Sequence, residues 1–250
     1  LVDGDISVSE SDLKIVLLPS LREVTGDVTI YSNGDLAEVS MPALEEVGGD
    51  FSVTSHYSSN QLSDGFDVSS LRLVGGQVYF NNNYYISFSG MPSLEEVGSH
   101  LYLYSSPTTT CYDYGDGDNN CDGPPDVDFA KLKAIGSSLN IYNSGFKKLD
   151  AQQLETVGGS ISVQENYGLR ELVLSGLQSV GGGSSGYSGG GSVLFRYNNN
   201  LESVDMPELA AVDGSVQVNS NSKLQSVDMG RLAELTTVGG SVQVNSNSKL

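Results

Sequence analysis

Gly26-Asp27-Val28-Thr29-Ile30 is the stretch on which the reading of this chain turns: a glycine, a short polar residue, then an apolar, a polar and an apolar position. Its pattern recurs down the whole sequence, with starts at Gly4, Gly26, Gly49, Gly76, Ser99, Ser137, Gly159, Gly191, Gly214 and Gly240. The basic unit is 22 to 23 residues, and longer coils carry insertions placed at 57–65, 105–125 and 181–190. Self-similarity at a fixed period of this size is the mark of a repeat architecture.

Two and four residues after each start the side chains are apolar: Ile6 and Val8, Val28 and Ile30, Phe51 and Val53, and so on to Val242 and Val244. Period-two alternation over so short a span, rich in β-branched residues, predicts a strand with one buried face. Apolar residues recur farther round each unit, at Leu36, Ile86, Leu169, Leu201, Leu224 and Leu250, at Met41, Met91, Leu174, Met206 and Met229, and at Leu44, Leu94, Leu177, Leu209 and Leu232. A single coil cannot bury such a set, because the residues that cover it belong to the next coil, so the units stack. The expected fold is all-β, a right-handed parallel β-solenoid of about nine to ten coils forming one domain over residues 1–250. At the strand spacing of about 4.7 to 4.9 Å it is a rod on the order of 45 Å long.

The glycine pairs, such as Gly48-Gly49, Gly75-Gly76, Gly158-Gly159 and Gly239-Gly240, serve either a corner with positive φ or a close approach of two backbones. Seven residues after the start stands Asn33, Asn83, Asn166, Asn198, Asn221 or Asn247. Stacked amides at a turn satisfy one another and the corner's backbone groups, which predicts an asparagine ladder. No Asn-x-Ser/Thr acceptor is present among them or elsewhere.

Composition agrees with a turn-rich β chain: 30 Gly, no Trp and a hydrophobic fraction of 38% in 250 residues. Twelve Lys and Arg against 31 Asp and Glu leave a net charge of -19, which repels phosphate backbones and anionic lipid headgroups. Nucleic acid is therefore not an expected partner, and direct membrane insertion is not expected because no apolar run of about 18 residues occurs.

With the repeat written out as Leu-Glu-Glu-Val-Gly-Gly-Asp-Phe-Ser-Val (44 to 53) and Leu-Glu-Ser-Val-Asp-Met-Pro-Glu-Leu (201 to 209), the chain resembles the receptor L-domain superfamily, a leucine-rich-repeat-like solenoid. The pattern is most similar to fungal cell-wall proteins anchored by glycolipid. The resemblance covers the whole chain and implies an extracellular or cell-surface setting and a non-catalytic role as receptor ectodomain, wall protein or adhesin.

Cys111 and Cys121, inside the 105–125 insertion, are spaced for a local disulfide of an oxidising compartment; two free thiols are the alternative. In the same loop Asp116, Asp118, Asn120 and Asp122 alternate, the oxygen-donor spacing of a Ca²⁺ loop. Cys121 and Val127 stand where an EF-hand has its glycine and bidentate glutamate, so a solvated acidic loop is an equal reading and no other cofactor is expected. No nucleophile elbow, catalytic triad spacing or HExxH motif accompanies His56 and His100, which read as loop or turn residues, and no enzyme is expected.

The outward strand column runs Ser7, Thr29, Ser52, Tyr79, Tyr102, Asn140, Ser162, Leu194, Gln217 and Gln243, without an acid that could serve a solenoid glycosidase. Aromatic residues stand out: Tyr79 is expected beside Tyr102, and Tyr104 beside Tyr142. Such rings either form a contact surface for a protein or a sugar, or stabilise the sheet by cross-strand pairing, or lie under the long insertion. The segment at 214–224 is repeated identically at 240–250, and neither end carries the polar coil that caps a solenoid. That leaves two expectations, a segment of a longer chain or end-to-end self-association into a fibre. The leading functional expectation is a structural building block of a cell-surface or extracellular assembly, and the second is an adhesin or receptor-like module.

Overall fold

Three short strands make each coil of the computed structural model, which describes residues 1–10, 12–33, 35–56, 65–83, 91–104, 126–182, 190–230 and 237–250. The widest side is a ten-stranded parallel sheet, running from Ile6–Ser9 through Val28–Tyr31, Phe51–His56, Val78–Asn83, Leu101–Tyr104, Leu139–Tyr142, Ile161–Gln164, Val193–Arg196 and Val216–Asn219 to Val242–Asn245. It contains one strand for each predicted coil start. A second side is a nine-stranded sheet of two-residue strands from Glu23–Val24 to Thr237–Val238. The third is made of a three-stranded sheet, Ile15–Leu17 to Gly65–Asp67, and a five-stranded sheet, Asp126–Asp128 to Ser226–Asp228. The chain is an all-β parallel solenoid of about eight turns, slightly fewer than expected. The coil that starts at Gly76 has its middle segment outside the described residues.

Register follows the repeat without slippage: Ile6 pairs with Val28, Val28 with Phe51, Phe51 with Val78, and Val78 with Leu101. Equal offsets therefore become vertical columns. In the interior coils the predicted inward residues are fully enclosed, among them Ile30, Val53, Phe80, Leu139, Val163, Phe195 and Val218. Phe51, Phe66 and Phe80 meet at centroid distances of 5.6 to 6.3 Å, so the widest sheet and the third side lock together through aromatic contact. Each such side chain contributes roughly 1.5 to 3 kcal/mol by leaving water, and it does so only because a neighbouring coil lies above and below. At the final described strand that neighbour covers one side only, and Val242 and Val244 are 54% and 44% exposed.

The glycines of the coil corner are explained by proximity. At Gly48, Gly75, Gly98, Gly136 and Gly239 an added Cβ would collide with a carbonyl oxygen of the preceding coil. None of these has positive φ. The left-handed corner lies elsewhere, at the end of the widest strand, on Glu10, Ser32, Asn82, Asn143, Glu165, Tyr197, Ser220 and Ser246 with φ of 46 to 59°. All of these are non-glycine residues, and the corner is kept in that conformation by the bonds described below.

On the rim of the nine-stranded sheet, Arg22 meets Glu45 at 2.8 Å, while Arg72 and Lys133 both approach Glu95, at 3.8 and 3.2 Å. These pairs are exposed and individually worth less than about 1 kcal/mol.

Candidate functional site

Two polar columns run along the corners that flank the widest sheet. The first is the predicted asparagine ladder, and its continuous part comprises Asn166, Asn198, Asn221 and Asn247. Asn198 donates from Nδ2 to the Val163 carbonyl at 2.9 Å, while its Oδ1 accepts the Asn166 backbone N–H at 3.0 Å. Asn221 and Asn247 repeat this pattern one and two coils on. Ser144 occupies the same place in the coil before Asn166, and its backbone N–H donates to Asn166 Oδ1 at 2.9 Å. Asn33 and Asn83 belong to the same column, and their amides donate to the carbonyls of Val8 and Val53 at 2.9 and 2.7 Å. The strand residue in register with Asn83 in the coil between them is His56.

The second column was not anticipated. It consists of the residue directly after each coil start: Asp5, Asp27, Asp50, Gln77, His100, Ser138, Ser160, Ser192, Ser215 and Ser241. Asp5 Oδ1 accepts the N–H of Asp27, Asp27 that of Asp50, and Asp50 that of Gln77, each at 2.8 Å. From His100 onward the acceptors are His100 Nδ1 and then serine hydroxyls, bonded to the N–H one coil on at 3.0 to 3.2 Å. The same geometry explains the glycine at the coil start. A Cβ on Gly26, Gly49 or Gly76 would occupy the place of the Asp carboxylate, and on Gly159, Gly214 or Gly240 that of the Ser hydroxyl. The visible signal in the sequence was a column made only of short side chains and others carrying a lone pair.

His100 is thus a turn residue with a defined task. Its ring accepts the Ser138 N–H through Nδ1 at 3.2 Å and stacks on Tyr102 at 4.9 Å and 19°. Burial lowers its pKa from 6.5, because desolvation penalises the charged imidazolium. The unfolded chain takes up that proton near 6.5 and the folded chain only at lower pH, so stability is complete above 6.5 and falls as pH drops through the interval. Replacement by glutamine, the residue of the preceding coil, supplies an acceptor that does not titrate. We expect the melting temperature of the His100→Gln variant to fall less between about pH 7.5 and about 5.5 than that of the parent chain. Parallel profiles would show that His100 does not titrate on unfolding.

The outer face of the widest sheet carries the predicted tyrosines. Register places Tyr79 opposite Tyr102 and Tyr104 opposite Tyr142, and the rings form one cluster. Centroids of Tyr79 and Tyr102 lie 5.6 Å apart, of Tyr79 and Tyr104 6.2 Å, of Tyr102 and Tyr104 5.3 Å, and of Tyr104 and Tyr142 6.2 Å, most of them edge to face. Asn81 donates to the Tyr79 hydroxyl at 2.9 Å, and the Tyr142 hydroxyl donates to Glu165 at 2.8 Å. Burial and the neighbouring phenols raise the pKa of Tyr104, and the bond to the Glu165 carboxylate raises that of Tyr142. Tyr104 and Tyr142 are therefore neutral donors and acceptors at ordinary pH.

The remaining predicted sites, Cys111, Cys121, Asp116, Asp118, Asn120 and Asp122, lie outside the described residues. Among the described residues no group of three or more His, Cys, Asp or Glu is arranged to hold a metal, and no helix is long and apolar enough to cross a membrane.

No protein-family model matches the chain, and no solved structure matches it. Among curated proteins it is similar to Sporulation-specific protein 2 of Saccharomyces cerevisiae, with 26% identity over 113 residues. The match takes in 39% of this chain and 22% of the yeast protein, so the chain spans less than a quarter of that relative's length.

Proposed function

We propose that the chain is a non-catalytic structural element of a cell-surface or extracellular assembly, a rigid solenoid of the receptor L-domain kind. The observation that carries this reading is the use made of its polar side chains: two columns, the asparagines and the Asp-to-Ser series, bond coil to coil. A stack tied at both corners of its widest sheet resists bending and fraying, as a load-bearing spacer needs. In this reading further coils continue the stack, whether of the same polypeptide or of a second copy set end to end. The yeast relative's name places that protein in sporulation. A receptor-like or adhesin module is the second reading, favoured by the tyrosine cluster.

The test is surface labelling of intact native cells with a membrane-impermeant amine reagent, combined with thiol alkylation and mass spectrometry of Cys111 and Cys121. Labelled protein with the two cysteines joined is expected. Protein that is labelled only after lysis and carries two alkylatable thiols would overturn the extracellular assignment.

A further inference from the structure

We propose that the tyrosine cluster on the widest sheet is a binding surface for a neutral polysaccharide whose pyranose rings present flat C–H faces. The proposal concerns what this face binds and holds whether the chain serves as spacer or adhesin.

The distribution of charge is the first argument. In a chain with a net charge of -19, the outward positions of the ten-stranded sheet carry, among the described residues, a single charged side chain, Arg196. Many of the acids stand on the other two sides, with Glu23, Glu46 and Glu96 on the nine-stranded sheet and residues such as Asp126 and Asp228 on the third, while Asp5, Asp27, Asp50 and Glu165 lie at the corners that flank the widest sheet, Glu165 as the acceptor of the Tyr142 hydroxyl. A basic protein would be drawn to those sides, and an anionic polymer would be repelled by the molecule as a whole. A face of hydroxyls, amides and phenols is matched instead by an uncharged polyhydroxylated chain, which needs hydrogen-bond partners and no counter-charge.

The second argument is the state of the rings. Sugar recognition rests on an aromatic face against the C–H side of the ring, with amides and hydroxyls at the rim for the sugar's own hydroxyls. Tyr79, Tyr102 and Tyr104 are half-buried and Tyr142 is 41% exposed. They hold one another by edge-to-face packing, and His100 stacked on Tyr102 supports them from one side. Rings fixed before binding lose little conformational freedom on contact, which favours a ligand that offers only shallow interactions. The polar rim is present on the adjoining strands: Asn140 is in register with Tyr102, and Ser162 and Gln164 follow one strand on. The cluster crosses three adjacent strands about 4.8 Å apart, which gives an elongated surface suited to successive units of a linear polymer.

Isothermal titration of the full chain with laminarihexaose and with chitohexaose tests the proposal, with polygalacturonate as an anionic probe. Saturable binding of at least one neutral hexasaccharide and none of polygalacturonate is expected. The triple variant Tyr79→Ser, Tyr102→Ser, Tyr104→Ser should bind at least about tenfold more weakly, on the scale of losing central aromatic contacts. Because that variant removes mutual packing, Tyr142→Ala is measured beside it: its ring is exposed and off the core, and a loss of about threefold is expected with an unchanged melting temperature. Tyr31→Ser, on the same sheet outside the cluster, should bind as the parent does. Absence of neutral-saccharide binding, or binding that survives both cluster variants, overturns the proposal. So does concentration-dependent dimerisation abolished by the same variants, which would assign the face to a second copy of the chain.

Discussion

Replacing Asn198 with alanine should lower stability by about 2 to 3 kcal/mol, among the largest effects available to a single side chain outside the apolar core. The residue is fully enclosed. Its loss strands the buried Asn166 N–H, which it bonds at 3.0 Å, and removes the second donor, at 2.9 Å, to the Val163 carbonyl; a buried group left without a partner costs about 1 to 3 kcal/mol. The Asn221 Oδ1 is less affected, since it still accepts the backbone N–H of residue 198 at 3.0 Å. Aspartate at 198 should be worse than alanine, because a carboxylate would face the Val163 carbonyl and the Asn221 amide oxygen in a dry corner. Asn247→Ala should cost only about 1 kcal/mol, since that position is partly exposed and water can replace the amide. Hydrogen exchange reads the difference locally: the Asn166 N–H should lose protection in Asn198→Ala while amides of the first coils keep theirs, as nearest-neighbour coupling in a solenoid requires. Equal losses at 198 and 247 would mean that burial is not the source of the ladder's strength.

Gly98→Ala should destabilise by about 3 kcal/mol, at the upper end of ordinary overpacking. The cause is distance, since Gly98 has no positive φ. Its Cβ would fall on the Gly75 carbonyl oxygen, while its own N–H holds the Val74 carbonyl at 2.8 Å. Neither group can rotate away, because both are backbone and both belong to the stack. The coils would have to separate, and that weakens the bonds beneath Leu101 and its neighbours as well. Gly4 is the comparison, with φ of 127° and no atom within 4 Å of an added Cβ; there alanine should cost only backbone strain, of order 1 to 3 kcal/mol, without widening the coil spacing. Thermal unfolding of the two variants, with fibre or solution scattering to read the coil spacing, separates the cases. An unchanged melting temperature for Gly98→Ala would show that the corner is looser than the contact distances imply.

Part of the candidate site was legible from spacing alone. The pairing of Tyr79 with Tyr102 and of Tyr104 with Tyr142 follows once the coils are known to stack in register, because parallel stacking turns an equal offset into a contact. The edge-to-face packing of those rings, the stacking of His100 and the bond from Tyr142 to Glu165 were not legible. They depend on side-chain rotamers, and a periodicity carries no rotamer. The asparagine ladder shows the same division. Its column was evident, but that Ser144 takes part by donating its own N–H to Asn166 Oδ1 was not.

What the sequence by itself determined is the coil: its length, its inward side chains and the columns they form, since an apolar residue at a repeated offset can be buried only by its equivalents above and below. What only the tertiary structure decided is how each polar column is connected. The glycine pairs turned out to admit a neighbouring carbonyl or carboxylate, and the left-handed corner fell on residues such as Glu10 and Tyr197 that no propensity would choose. Hydrogen-bond partners in this molecule lie one full coil apart in the chain, and the direction in which a short side chain reaches across that gap is set by the backbone at the corner.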